Sequence, residues 1–118
     1  LKATIGDILN AGEHLKGLTQ LSLPAATSLK VARLARRVAE EFQLAVQERN
    51  KLIIKYGEDI EGQTKVLPTS KRWPEFVGEL NSLLEQEIDL GMEQVKLPDD
   101  IEITPAALIA LEPFITIE

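Results

Sequence analysis

Between Pro24 and Gly57 the sequence holds no glycine or proline, and its apolar residues recur at helical spacing. Val31, Ala35, Val38, Phe42, Ala45, Arg49, Leu52 and Tyr56 follow alternating steps of four and three, and Ala32, Ala39, Val46 and Ile53 widen the stripe. This is the period of an amphipathic helix, with a heptad character. It predicts a helix over 24–57. Pro24 suits the first turn, with Thr27 or Ser28 as alternative caps. Gly57 suits the C-terminal cap, and Lys51 and Lys55 place cations near the negative end of the helix dipole. About 32 residues at ~1.5 Å each make a rod of roughly 48 Å. A compact chain of ~100 residues has a radius of gyration of only ~13 Å. The rod is longer than the body it belongs to, so what covers it decides the architecture.

The flanking segments supply short partners. "TIGDILNAGEHL" reads as a short helix within residues 1–20, with Thr4 as its cap and Asp7 at the positive end of its dipole. Gly12 and Gly17 weaken any extension of it. Residues 58–72 read as a loop. Residues 74–88 read as a second helix, opened by Pro74 and Glu75, with Phe76, Val77, Leu80, Leu83, Leu84 and Ile88 on one face. About 14 residues span only ~21 Å, less than half of the long helix. Over 90–118, "MEQVKL" and "IEI" alternate as short strands, "TPAALIALEP" reads as a Thr-capped helix stopped by Pro113, and "FITIE" reads as a last strand. The expected fold is a single α+β domain over residues 1–118. Helices dominate it: the long helix pairs antiparallel with the shorter one, beside a small strand and helix element. Leu34, Leu44 and Ile54 lie off the main stripe, and that extra apolar surface points to an interface.

Composition narrows the class. There is no cysteine, so disulfides and thiolate metal sites are excluded, and the single histidine, His14, cannot build a typical zinc site. No apolar run approaches the ~20 residues of a membrane span, and the N-terminal residues lack a secretory signal pattern. The expectation is a soluble intracellular chain with no membrane partner. Net charge is -6 but unevenly spread. Residues 25–56 carry seven Lys/Arg against three Glu, whereas residues 57–118 carry four Lys/Arg against fourteen Asp/Glu.

No residue pattern specifies a reaction. Glu85, Glu87 and Asp89 read as a solvated acidic face. Asp59 and Glu61 near Gly62 match neither a calcium loop nor a phosphate loop. No catalytic residue, metal, cofactor or small-molecule substrate is expected. The candidate contacts lie on protein surfaces. Lys30, Arg33, Arg36 and Arg37 form a basic cluster suited to phosphate or to an acidic partner. Glu40 and Glu41 stand in ion-pair register with it and the rest of the chain is acidic, so nucleic acid is disfavoured. Docking of the cluster on the acidic C-terminal half, within one chain or across a dimer, is the third option. Arg33, Leu34, Arg37, Leu44, Ile54 and Trp73 are the candidate protein-interface residues; the sole Trp reads most simply as a core or cap-packing residue, and as an interface residue because Trp is enriched at hot spots.

The sequence also resembles a group of small phage and prophage proteins. In that group a Leu-Pro step opens a long helix ending in R-x-K-L-x-x-K-Y-G-E, met here at Arg49–Glu58. An F-x-x-E-L-x-x-L-L helix follows, met at Phe76–Leu84, and an L-x-A-L-E element closes the tail, met at Leu108–Glu112. The resemblance covers most of the chain. It implies a phage-encoded accessory or structural protein in the bacterial cytoplasm or the virion, and it transfers no catalytic residue. Two non-enzymatic functions follow as expectations, ahead of an enzyme of unknown type, which the absence of the usual constellations disfavours. One is a non-enzymatic interaction module that assembles with copies of itself or with a protein partner. The other is a host-directed inhibitor of a defence or transcription protein.

Overall fold

The computed structural model describes residues 1–118. Their order is β1 (Lys2–Thr4), α1 (Ile5–Thr19), α2 (Ala25–Tyr56), β2 (Glu58–Ile60), β3 (Gln63–Lys65), α3 (Trp73–Leu84), β4 (Glu87–Asp89), β5 (Val95–Leu97), α4 (Pro105–Leu111) and β6 (Ile115–Ile117). The fold is α+β and helix-dominated. No helix is long and apolar enough to cross a membrane.

The long helix forms as its periodicity demands, and two helices share its cover. The more extensive packing is with α1, not with α3. Gly12 of α1 meets Phe42, and Leu15, Lys16 and Thr19 border the same groove as Ala35, Val38 and Ala39, so α1 and α2 run antiparallel. The N-terminal helix is longer than its glycines suggest. It starts at a full capping box, in which Thr4 Oγ1 accepts from the Asp7 N–H and the Thr4 N–H donates to Asp7 Oδ2. It then runs through Gly12 because a side chain there would collide with the Phe42 ring. The local helix penalty is offset by close approach of the two helices.

The second helix ends at Leu84, four residues before its expected end. Glu87–Asp89 form β4 instead, antiparallel to β1, with Ala3 opposite Ile88. Residues 58–72 are not all loop: β2 and β3 pair as a hairpin through Glu61 (φ 51) and Gly62 (φ 81), the doubly left-handed geometry of a two-residue turn. Gly57 is not a left-handed cap. Its backbone is extended (φ -83, ψ 162), and the position is glycine because a Cβ would press on the Ile53 carbonyl and on Thr64. In the tail, β5 and β6 pair in parallel, joined by a crossover that contains α4. Thr104 caps α4 by accepting the Ala107 N–H. Ile101 and Ile103 form no strand; they dock on the core from an unpaired segment.

The main core gathers Ile8, Ala11, Leu15 and Leu18 of α1 with Val31, Leu34 and Val38 of α2. Val95, Leu97, Leu111, Phe114 and Ile115 of the tail close it. Everything in that list from α2 lies in its first half. Beyond Val38 only Ala45 and Tyr56 of α2 are buried, and only Phe76 of α3. The result is elongated, 52 × 28 × 20 Å, with a radius of gyration of 17.0 Å. A compact chain of this length would have about 13.5 Å. The second half of α2, the hairpin and the start of α3 form an arm that leaves the core.

Candidate interaction surface

At 100° per residue, Val31, Leu34, Val38 and Ala45 define one side of α2, and Leu29, Leu44 and Ile54 fall on the opposite side. Burial follows that division. Leu34 is fully buried, whereas Leu29 is 52 % exposed, Leu44 56 % and Ile54 71 %. The expectation that Leu34 belongs to an interface is therefore corrected. It sits three residues after Val31 and four before Val38, a walk as helical as the one through Ala35, and the elements flanking α2 close over both. Leu44 and Ile54 are open to solvent, but they do not form a patch. Fifteen residues separate Leu29 from Leu44, about 22 Å, and ten separate Leu44 from Ile54, about 15 Å. Single exposed aliphatics of that kind are ordinary.

The basic cluster divides in two. Arg37 is half-buried and committed: its Nη1 donates to Glu41 Oε1 at 2.6 Å and lies 4.0 Å from Glu40. Lys30, Arg33 and Arg36 are exposed and take part in no ion pair. Lys30 and Arg33 border a depression of about 260 Å³ shared with Met92, Glu93, Gln94 and Val95, yet neither reaches Glu93. Docking of these three cations on the acidic half within one chain is thus not found. Apart from Glu93 in that depression, Glu58, Asp59 and Glu61 are exposed on the hairpin at the tip of the arm, and Glu85 and Glu87 follow α3.

Trp73 lies in the arm. Its ring is 5.6 Å from that of Phe76, which in turn packs edge-on to Tyr56 at 6.3 Å. Arg72 caps the cluster, its guanidinium 4.5 Å from the Tyr56 ring and its Nη1 donating to the Lys55 carbonyl at 2.9 Å. Lys55 Nζ donates to Glu79 Oε1 at 3.0 Å and ties α2 to α3. That bond raises the Lys55 pKa and lowers that of Glu79, with the Tyr56 hydroxyl a further contributor to both. Half-buried Trp73 thus packs on Phe76 within the arm. The named candidates do not converge. Arg33 and Arg36 stand near the core end of α2, Leu44 midway and Ile54 with Trp73 in the arm.

A groove of about 510 Å³ lies between α1 and α2, lined by Leu15, Ala35, Val38 and Phe42 with Lys16 and Arg36. Sequence reading missed it, because its shape comes from the pairing of α1 with α2; Gly12 opposite an aromatic was the one available signal. No three His, Cys, Asp or Glu side chains stand close enough to hold a metal ion. Asp89, the last of the Glu85, Glu87 and Asp89 carboxylates, is lowered in pKa chiefly by the Gly91 N–H that it accepts at 2.9 Å, a turn contact. His14 is half-buried on α1. Comparison with protein-family models, with curated proteins and with solved structures gives no match.

Proposed function

We propose that this chain is a non-enzymatic protein-interaction module of phage origin that assembles with copies of itself through the outer face of α2. One observation carries the reading: Lys30, Arg33 and Arg36 stand exposed and unpaired on a rod that outruns its own core, in a chain otherwise acidic. The arm of a second copy offers the complement, with Glu58, Asp59 and Glu61 exposed at its tip against one cation, Lys65, across the hairpin from Glu58. A contact of basic root with acidic tip is heterologous, so it closes into a ring or runs on as a filament. That geometry suits a virion or assembly component. The resemblance of Arg49–Glu58, Phe76–Leu84 and Leu108–Glu112 to phage proteins supports the same origin.

Charge reversal tests the reading. Arg33→Glu with Arg36→Glu, on exposed positions whose side chains make no ion pair, should leave the circular dichroism spectrum and melting temperature in place. Sedimentation should show association of the parent protein at low salt and none for the double variant. Restoring association by Asp59→Lys with Glu61→Lys in a mixed sample would locate the partner surface. Equal association of parent and variant would contradict the proposal. Capture of one host protein by a strictly monomeric chain would favour the inhibitor instead.

A further inference from the structure

The tail holds a second surface, independent of the α2 face. In the parallel pair, the Val95 N–H donates to the Phe114 carbonyl at 3.1 Å and the Glu118 N–H donates to the Leu97 carbonyl at 2.9 Å. A parallel ladder uses alternate residues of each strand. The N–H and C=O groups of Ile115 and Ile117 therefore point away from β5, along the outer edge of β6. Nothing pairs with that edge: the sheet has two strands only. Natural proteins blunt such edges with lysine, proline or a bulge. Here the edge is the short β-branched run Ile115-Thr116-Ile117, without lysine, proline or bulge, buried at Ile115 and open at Thr116 and Ile117.

Beside the edge lies a shallow groove of about 310 Å³, bounded across from β6 by α4. Its lining is Leu108, Ile109, Ile115 and Ile117 with one polar group, the Glu112 carboxylate. Ile109 is 73 % exposed, the most exposed large apolar side chain of the molecule, and Ile117 is 43 % exposed. Glu118 stands at the end of the strand, and no cation borders the groove. Four features thus coincide: unpaired backbone groups, an aliphatic trough, exposed isoleucines and carboxylates at the margins.

We propose that the β6 edge and the α4–β6 groove bind an extended segment of a partner protein in which aliphatic residues alternate with Lys or Arg. The segment adds as a strand to β6, its backbone pairing with Ile115 and Ile117. Its aliphatic side chains face the trough over Ile109, its alternating cations lie on the opposite face with Glu118, and a cation flanking the strand meets Glu112 at the trough's end. Charge selects this occupant over a second copy of the chain. Pairing β6 with β6 around a two-fold axis would bring both copies' Glu112 and Glu118 carboxylates to one seam, and like charges across strands repel.

The probe is an acetylated, amidated pentapeptide of sequence lysine-valine-threonine-valine-lysine, titrated into the isotope-labelled full chain and followed by amide NMR. Shifts should centre on Ile109 and Ile115–Ile117. N-methylation of alternate peptide nitrogens, which removes donors without removing side chains, should weaken binding about tenfold or more, and a glutamate-flanked peptide should bind as poorly. Ile109→Glu and the pair Glu112→Lys, Glu118→Lys lie on the surface and should abolish binding of the lysine peptide with the spectrum otherwise intact. The lysine double variant should now accept the glutamate-flanked peptide. Shifts on the α2 face, equal binding of the N-methylated peptide, or self-association through β6 in the absence of peptide would each overturn the proposal. The Arg33→Glu, Arg36→Glu variant should bind the peptide normally, which separates this site from the assembly surface.

Discussion

Leu34 and Leu44 are ten residues apart on one helix and have opposite fates. Leu34 is sealed between α1 and the tail, so Leu34→Ala should destabilise the fold by about 2–5 kcal/mol, the usual cost of a core cavity. Leu44→Ala and Ile54→Ala should stay within about 0.5 kcal/mol, because both side chains are more than half exposed. Denaturant melts of the three variants would check this. Two glycines separate in the same way. Gly12 is pressed by the Phe42 ring, so Gly12→Ala should lower the melting temperature despite its better helix propensity. Gly78 has open space around it in mid-helix, so Gly78→Ala should add about 0.5–1 kcal/mol. The Lys55–Glu79 bond adds a pH signature. The lowered Glu79 pKa contributes stability above the ordinary value of 4.5 and loses it as pH falls through the folded value. The raised Lys55 pKa contributes below its ordinary value of 10.5 and loses it as pH rises through the folded value. Both groups are exposed, so the effect is small. The melting temperature of Glu79→Gln should fall slightly below the parent's near pH 7 and converge with it as pH falls through the folded Glu79 value. A gap that persists in acid would mean that Glu79 acts through packing rather than charge.

The elements differ in how plainly the sequence announces them. The long helix is legible because 32 residues hold one period without a breaker. Thr4 and Thr104 are legible as caps because a hydroxyl, then a backbone N–H three residues on, is a local device. The three-residue strands β1 and β4 are not legible: three residues carry no period, and their pairing joins Ala3 to Ile88 across most of the chain. The same long-range fact truncates α3. Leu34 was misread because period alone fixes the centre of a stripe, while its width depends on how many elements pack there. The candidate surface was legible as chemistry, the basic cluster of α2, but not as geometry. Which of its four cations are free depends on Arg37 folding back onto Glu41. The arm is the element in which burial is thinnest, with Tyr56, Phe76 and half-buried Trp73 as its small aromatic centre. Amides of β2 and β3 should exchange through local openings far below the global stability, and those of α1 and the first half of α2 near it. Hydrogen exchange measured by mass spectrometry resolves the two. Uniform protection from Ile5 to Leu84 would contradict a weakly held arm.

At the scale of the whole molecule, charge and shape point the same way. In a body of 52 Å, the unpaired Lys30, Arg33 and Arg36 at the root of α2 and the Glu58, Asp59 and Glu61 carboxylates at the tip stand too far apart to meet within one chain. Copies arranged root to tip can bring them together. Contacts between exposed charges are screened over ~8 Å at physiological ionic strength and ~3 Å at 1 M salt. Association built on them must therefore be salt-sensitive, unlike association through a buried apolar seam. The most direct test is molar mass by light scattering across a concentration series, at low salt and again near 1 M. The account predicts mass rising with concentration at low salt and returning to that of the 13.1 kDa chain at high salt. A mass fixed at one chain under every condition would contradict it, as would an oligomer indifferent to salt.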